Sequence, residues 1–80
     1  MLRHADLTPT ELRAKLKRGE ITFGGNARLK IYGTLKCKSG QRMAKANRVF
    51  FTSEQEATAL GYRPCGHCLR EKYLQWKLNR

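Results

Sequence analysis

The chain has 80 residues, which suffices for one small domain and excludes a large hydrophobic core. It carries 17 Lys and Arg residues against 6 Asp and Glu residues, for a formal net charge of +11. No apolar run approaches the roughly 20 residues of a membrane-spanning helix, and the N-terminal residues lack the apolar stretch of a signal peptide. We therefore expect a cytoplasmic protein with no part in the membrane.

The positive charge is unevenly placed along the chain. Between Ile21 and Ser53 there is no acidic residue, whereas seven are basic: Arg28, Lys30, Lys36, Lys38, Arg42, Lys45 and Arg48. Such an excess favours a polyanionic partner, nucleic acid first, then an acidic membrane surface or an acidic protein; it can also serve solubility alone. The nucleic-acid hypothesis assigns phosphate contacts to Lys36, Lys38, Arg42, Lys45 and Arg48, which Arg28 and Lys30 extend.

The first predicted element is a helix that begins at Pro9 and ends before Gly19. Thr8 can cap it with its hydroxyl, and Glu11 can complete a capping box. Proline suits the first helical position, and glycine suits the residue that follows a helix. Leucines recur at helical spacing from Leu7 onward, which indicates that one face of this helix is buried.

The middle of the chain is predicted to be extended. Residues 21–23 form a short extended segment, and Gly24-Gly25-Asn26 is predicted as a loop. Polar and apolar residues alternate over 28–32, which favours a half-buried strand that Gly33 interrupts. Residues 48–51, Arg-Val-Phe-Phe, combine β-branched and aromatic side chains and are the strongest strand signal in the chain.

Two further helices are predicted in the second half. Ser53-Glu54-Gln55-Glu56 is a second capping box, followed by a brief helix that ends near Leu60. Gly61 suits the left-handed position after that helix. A turn with two cysteines comes next, and the last helix runs from about Leu69 to Leu78.

The three cysteines are candidate metal ligands. Cys65 and Cys68 have the spacing of half a thiolate zinc site on a turn that leads into a helix, and Cys37 can supply the second half. An odd number of cysteines excludes a complete disulfide framework within the chain, and a Cys-x-x-Cys pair in reducing cytosol is more often metal-binding or redox-active. One zinc ion would also stabilise a domain too small to rely on its core.

A closed structural zinc site needs four ligands, so one ligand is missing. His4 is the first candidate because it lies near a terminus and can fold back, and His67 is the alternative. A carboxylate, a water molecule or no stable metal are also open. Cys65 and Cys68 as a redox pair are disfavoured because the chain lacks the βαβ pattern of thioredoxin-like motifs, and a buried reduced pair without a role is the remaining alternative.

Four stretches of the chain carry a family resemblance. They are 30–37, which ends at Cys37, Asn47-Arg48-Val49-Phe50-Phe51, the Ser53–Ala57 segment, and Gly61-Tyr62-Arg63-Pro64-Cys65 with its partner Cys68. Together they resemble the zinc-binding N-terminal domain of the Ada DNA-repair proteins over roughly residues 24–73. That family holds zinc with four cysteines, and one of the first pair accepts a methyl group from a methylated DNA phosphate.

The resemblance carries over residue by residue, with one gap. Cys65 and Cys68 match the Cys-x-x-Cys pair, and Cys37 matches the second member of the first pair. The methyl acceptor falls at Gly33, which has no nucleophile. The resemblance therefore implies a zinc domain that faces DNA without the repair chemistry. The alternatives are a methyl acceptor or thiol-reactive protein that uses Cys37, and a structural or protein-interaction domain.

The expected fold is a small zinc-stapled α+β domain with a short antiparallel sheet. An N-terminal helix, a short middle helix and a C-terminal helix after the cysteine turn complete it. We expect an N-terminal helical extension over 1–23 and the Ada-type domain over 24–80, together one compact monomeric unit.

Overall fold

The computed structural model describes residues 1–37 and 44–79. Two predicted phosphate contacts, Lys38 and Arg42, lie outside the described residues. The predicted α+β class is confirmed: the described part of the chain contains a five-stranded sheet and three α-helices. No helix in residues 1–37 and 44–79 is long and apolar enough to cross a membrane.

The strands are short and form one sheet. They are β1 (Leu2–Arg3), β2 (Phe23–Asn26), β3 (Ile31–Thr34), β4 (Arg48–Phe51) and β5 (Arg63–Pro64), in the spatial order β1-β4-β2-β3-β5. The neighbours pair antiparallel, as predicted, except that β5 pairs parallel with β3. This parallel pair is the part of the sheet that positions the cysteines.

The three helices are α1 (Pro9–Lys17), α2 (Glu54–Ala59) and α3 (Arg70–Leu78). The predicted capping box of α1 forms: the Glu11 amide donates to Thr8 Oγ1 at 3.1 Å, and the Thr8 amide donates to Glu11 Oε1 at 3.4 Å. Ser53 caps α2 by accepting from the Glu56 amide at 3.1 Å. The Glu56 carboxylate instead accepts from Thr52 and pairs with the terminal amine, so the second box is half formed.

The Gly24-Gly25-Asn26 segment lies in β2, not in a loop as predicted. A Cβ atom on Gly25 would lie 2.8 Å from the Ile31 carbonyl oxygen and 2.9 Å from Phe51 Cε2. Real Cβ contacts are almost never this short, so glycine is required here because the neighbouring strands pack closely against the backbone. The glycines that indicate a turn in the sequence are thus needed inside the sheet.

The strand predicted over 28–32 begins later than expected. The Asn26 side chain accepts hydrogen bonds from the Arg28 and Leu29 amides, at 2.9 and 3.2 Å, which stabilises a turn. Lys30 completes that turn with a φ of 58°. The strand β3 therefore starts at Ile31, and it continues through Gly33 without interruption.

The two faces of the sheet differ in what covers them. On the core face, Tyr32, Val49 and Phe51 are buried together with two residues from outside these strands, Ala57 of α2 and Tyr62. The opposite face, here called the glycine face, carries Gly24, Gly33 and Phe50, which are in register across β2, β3 and β4. The larger of the two buried clusters thus lies on the core face.

The first 23 residues contribute to this sheet. β1 pairs with β4, and Leu7 and Ile21 pack with Phe50 on the glycine face. Of the leucine stripe predicted at Leu7, Leu12 and Leu16, the first two pack in this cluster, whereas Leu16 is 41 % exposed because it lies near the end of α1. A boundary between an N-terminal extension and the Ada-type domain after residue 23 stays a prediction.

Candidate metal centre

The three predicted cysteine ligands come together. The Sγ atoms of Cys37, Cys65 and Cys68 all lie within 4.8 Å of one another. Those of Cys37 and Cys65 are 3.9 Å apart, close to the separation of about 3.8 Å that two thiolates have on a tetrahedral zinc ion with Zn–S bonds of about 2.3 Å. Cys37 is buried, and the other two are half-buried. The chemistry and spacing of these donors fit zinc.

The parallel pairing of β3 and β5 brings distant parts of the chain to this point. The Cys65 amide donates to the Tyr32 carbonyl at 2.7 Å, so the cysteine turn begins directly beside β3. Cys37 follows β3 after a short turn, in which its amide donates to the Thr34 carbonyl at 3.2 Å. The sequence spacing alone does not reveal this arrangement, because it depends on the pairing of two short strands.

Backbone amides point at two of the sulfur atoms. The Thr34 amide donates to Cys68 Sγ at 3.3 Å, and the His67 amide donates to Cys65 Sγ at 3.4 Å. Such bonds favour thiolates. Burial raises the pKa of the Cys68 thiol in the metal-free chain, although the Thr34 amide acts in the opposite direction. A bound metal ion removes the proton from a coordinating thiol, so it would keep Cys68 as a thiolate.

Gly33 lies against the cysteines. A Cβ atom built at Gly33 would be 2.7 Å from Cys68 Sγ and 3.2 Å from Cys65 Cβ. Residue 33 is therefore adjacent to the metal-binding cluster, as the resemblance to the Ada proteins implies for the position of the methyl acceptor. Because the residue is glycine, it supplies neither a ligand nor a nucleophile.

The two histidines considered as fourth ligands lie in different places. The ring of His4 packs edge-on against Phe50, with 5.5 Å between the ring centroids. Burial lowers the pKa of His4, and the positive charges of Arg48 and Lys45 lower it further. His67 is exposed within the cysteine turn. In the described part of the chain, neither histidine joins the three sulfur atoms in the metal-binding group.

A cavity of about 370 Å³ borders the cysteines on the glycine face. Its wall includes Gly24 and Gly33 from the sheet, Cys37 and Cys65 from the metal centre, and Arg48. Sequence reasoning missed this cavity, since two glycines in different strands give no signal that they face the same space. The register of β2 and β3, which pairs Gly24 with Gly33, creates it.

An aromatic pair on α3 fixes the other side of the cysteine turn. The rings of Tyr73 and Trp76 stack with their centroids 5.9 Å apart. The Arg63 guanidinium lies over both rings, at 5.2 and 5.6 Å from their centroids. A Cβ atom on Gly66 would lie 3.3 Å from the Tyr73 ring, so the turn packs directly beneath that ring.

The described basic residues lie mainly on the surface. Lys36 and Lys45 are exposed, as are Arg28 and Lys30. Arg48 is half-buried with its guanidinium 5.2 Å from the Phe50 ring, and burial lowers its pKa. The amide of Ala27 donates to the Asn47 carbonyl at 2.8 Å, which joins the turn that carries Arg28 to the segment that carries Lys45 and Arg48.

Comparison with known families identifies the domain. The family model described as the metal binding domain of Ada matches residues 15–71. Comparisons with curated proteins and with solved structures gave no significant match. The matched region contains Cys37, Cys65 and Cys68, whose spacing in the structure suits Zn2+. The chain therefore belongs to the family of Ada metal-binding domains, with Zn2+ as its cofactor.

Proposed function

We propose that this protein is a non-enzymatic zinc-binding module that binds DNA through its backbone phosphates. The zinc ion has a structural role, because it ties the end of β3 to the start of α3. The basic residues between β2 and β4 supply the phosphate contacts. The observation that supports this proposal most is that the cations of this set within residues 1–37 and 44–79 form no ion pair there.

Three of the six acidic residues form ion pairs with groups outside the proposed surface. Glu20 approaches Lys15 and Arg18, at 4.0 and 3.6 Å, and Glu54 pairs with Lys72. Glu56 pairs with the terminal amine. Of the ion pairs in residues 1–37 and 44–79, none involves Arg28, Lys30, Lys36, Lys45 or Arg48. Cations outside internal ion pairs attract a polyanion without first breaking such a pair.

The positions of these cations suit contacts along a phosphate backbone. Arg28, Lys45 and Arg48 lie at one end of the sheet, where β2 ends and β4 begins. Lys36 follows the opposite end of β3, next to Cys37. Contacts to phosphates provide affinity and orientation but do not select a sequence. We therefore propose binding that depends strongly on salt and weakly on sequence.

Salt titration of DNA binding tests the proposal. If about five phosphates are neutralised, the logarithm of the association constant should fall against the logarithm of the salt concentration with a slope of about −4 to −5. Replacement of Lys45 by Gln should make the slope shallower by about 1. Lys17→Gln is the matched control, because Lys17 is an exposed lysine at the end of α1 and outside the proposed surface. The proposal would be contradicted if the protein did not bind DNA at low salt, or if its affinity for DNA did not change with the salt concentration.

The non-enzymatic part of the proposal has its own test. Gly33 has no nucleophile, and Cys37, the alternative acceptor considered from the sequence, is buried within the cysteine cluster. After incubation with DNA that contains methylated phosphates, the intact mass of the protein should be unchanged. A mass increase of one methyl group on Cys37 would instead establish the methyl-acceptor alternative. The cytoplasmic location and the monomeric state remain predictions from the sequence.

A further inference from the structure

We propose that this chain gives its zinc ion three protein ligands, and that the place of the fourth, beside Gly33, opens into the cavity and admits a small anionic thiol from solution. This inference rests on the zinc site and does not depend on DNA binding. It assigns a ligand-binding role to a site whose three cysteines also serve the structure.

The donor count is the first reason. Cys37, Cys65 and Cys68 form the metal-binding group, and among the described residues no carboxylate or imidazole joins them. Residues 38–43 and residue 80 lie outside the described part of the chain. Their sequence, Lys-Ser-Gly-Gln-Arg-Met and Arg, contains no Cys, His, Asp or Glu. Zinc prefers four ligands, and sites with three protein ligands fill the fourth position with water or an exogenous ligand.

Gly33 is the second reason. It lies so close to the cluster that a Cβ there would meet Cys68 Sγ at 2.7 Å. Gly33 also lines the cavity, together with Cys37 and Cys65, so the backbone at residue 33 borders both the sulfur atoms and the cavity. Because glycine has no side chain, it contributes no group that could cover this border.

The cavity is the third reason, and it also indicates the class of ligand. Its volume of about 370 Å³ exceeds that of a small organic thiol, and Cys37 and Cys65 form part of its wall. The apolar Leu29 and Ile31 line it, as does the cationic Arg48. Among the described lining residues there is no Asp or Glu. Zinc accepts thiolate ligands readily, and the Arg48 charge favours a thiol that carries a second negative group.

Binding of such a thiol requires no oxidant or reductant. The S–H proton passes to solvent, and the sulfur takes the fourth position as a thiolate. The cysteines remain at their oxidation level. This distinguishes the proposed site from a redox pair of Cys65 and Cys68.

Cobalt substitution makes the site visible, because Co2+ bound to thiolates absorbs light with an intensity that follows the number of sulfur ligands. The full chain is loaded with one Co2+ and titrated with 3-mercaptopropionate. The sulfur-to-cobalt absorption should rise by about one third and saturate, as three thiolates become four. Native mass spectrometry should then show one metal ion and one thiol per chain. The proposal would be overturned by any of three results. The spectrum does not change when the thiol is added, the thiol removes the metal without forming a mixed complex, or the chain binds no cobalt.

Two sets of variants identify the fourth position. Gly33→Cys should show the four-thiolate spectrum without added thiol and should no longer respond to it. Because the new Cβ must displace Cys68 Sγ, this variant can fail to fold, and the wild-type titration then decides alone. His4→Ala and His67→Ala should leave the spectrum of the cobalt protein unchanged. A changed spectrum in either would show that an imidazole already occupies the fourth position and would overturn the proposal.

The role of Arg48 is tested with a pair of thiols of opposite charge. Wild-type protein should bind 3-mercaptopropionate more tightly than cysteamine, and Arg48→Met should reduce this preference by about 2- to 5-fold. The methionine retains an apolar stem against the Phe50 ring. An unchanged preference would contradict the anionic class of the ligand, and DNA-binding assays on the same samples report separately on the proposed function.

Discussion

The two faces of the sheet are stabilised in different ways. The core face buries Tyr32, Val49 and Phe51, each no more than 2 % exposed, beneath the α2 segment. The glycine face is covered by apolar side chains near β4, around Phe50, whereas near β3 it presents Gly33 to Cys65 and Cys68. Apolar burial thus stabilises one side, and a metal centre replaces it on part of the other.

This difference has a consequence for how the domain loses its structure. The hydrophobic effect stabilises the core face whether or not a metal ion is bound. The β3 and β5 end of the glycine face instead depends on a ligand that can be removed. In a domain of this size the core alone gives a narrow stability margin, so removal of the metal should affect the whole molecule.

Removal of zinc and truncation of the core face are the two largest expected effects, and they are of similar size. Zinc at about 1,000 times its dissociation constant adds about 4 kcal/mol to the free energy of unfolding, and a chelator should remove that contribution. Cys65→Ser should have a similar effect, because Cys65 Sγ belongs to the cluster of three sulfur atoms that we propose as the zinc ligands. Thermal unfolding with and without chelator measures both effects.

Hydrogen exchange localises the same effect. With zinc removed, protection should fall first at the Cys65 amide, which bonds to β3, and later at Val49 in the centre of the sheet. Equal loss at both positions would show that the two faces are not stabilised independently. If the chelator left the thermal unfolding curve unchanged, a structural role for the metal would be refuted.

Phe51→Ala removes a large buried side chain from the core face. Phe51 is 1 % exposed, and its ring packs against that of Tyr62 with 4.9 Å between centroids. Truncation should cost about 3–5 kcal/mol in the free energy of unfolding. Leu60→Ala is the control, because Leu60 is exposed and should cost little. Denaturant unfolding measures the difference, and a small effect of Phe51→Ala would contradict the assignment of the core.

Two neighbouring glycines give a matched pair of variants, one for each face. Gly25→Ala places a Cβ against the Ile31 carbonyl and the Phe51 ring of the core face, and it should cost about 1–3 kcal/mol. Gly24→Ala points to the glycine face, where its nearest contact is 3.7 Å, and it should be neutral or stabilising by about 0.4–1 kcal/mol. Equal effects on the thermal midpoint would contradict the described register of β2.

The smallest expected effect concerns the helix that covers the apolar part of the glycine face. Thr8→Ala removes the side-chain cap of α1 and should cost about 1 kcal/mol. Thr10→Ala, within the first turn of α1, removes a hydroxyl that makes no cap and serves as the control. Zinc affinity should be unchanged in both variants, since α1 does not contact the metal centre through its cap. A drop in zinc affinity on loss of the cap would link the two halves of this face.

Features that depend on adjacent residues were predictable from the sequence. The α1 capping box, the Ser53 cap and the limits of β4 all follow from local chemistry, and each is confirmed. The proximity of the three cysteines also matches the expectation. The spacing made Cys37 a candidate for the second half of the site, and the family resemblance assigned it there as the second member of the first cysteine pair.

Features that depend on contacts between distant residues were not predictable. Gly25 appears in a sequence typical of a turn, and only the approach of Phe51 explains why it lies in a strand. The Asn26 side chain moves the start of β3 by bonding to two following amides. The cavity beside Gly33 likewise arises from strand register, which no local pattern in this chain specifies.

The stack of Arg63, Tyr73 and Trp76 gives the protein an internal optical reporter. Trp76 is the single tryptophan of the chain, and its partner ring Tyr73 lies directly over Gly66 in the cysteine turn. Any movement of that turn alters the surroundings of the indole. The emission of the unlabelled protein should therefore follow metal binding in real time, and Tyr73→Leu should uncouple the signal from the metal centre.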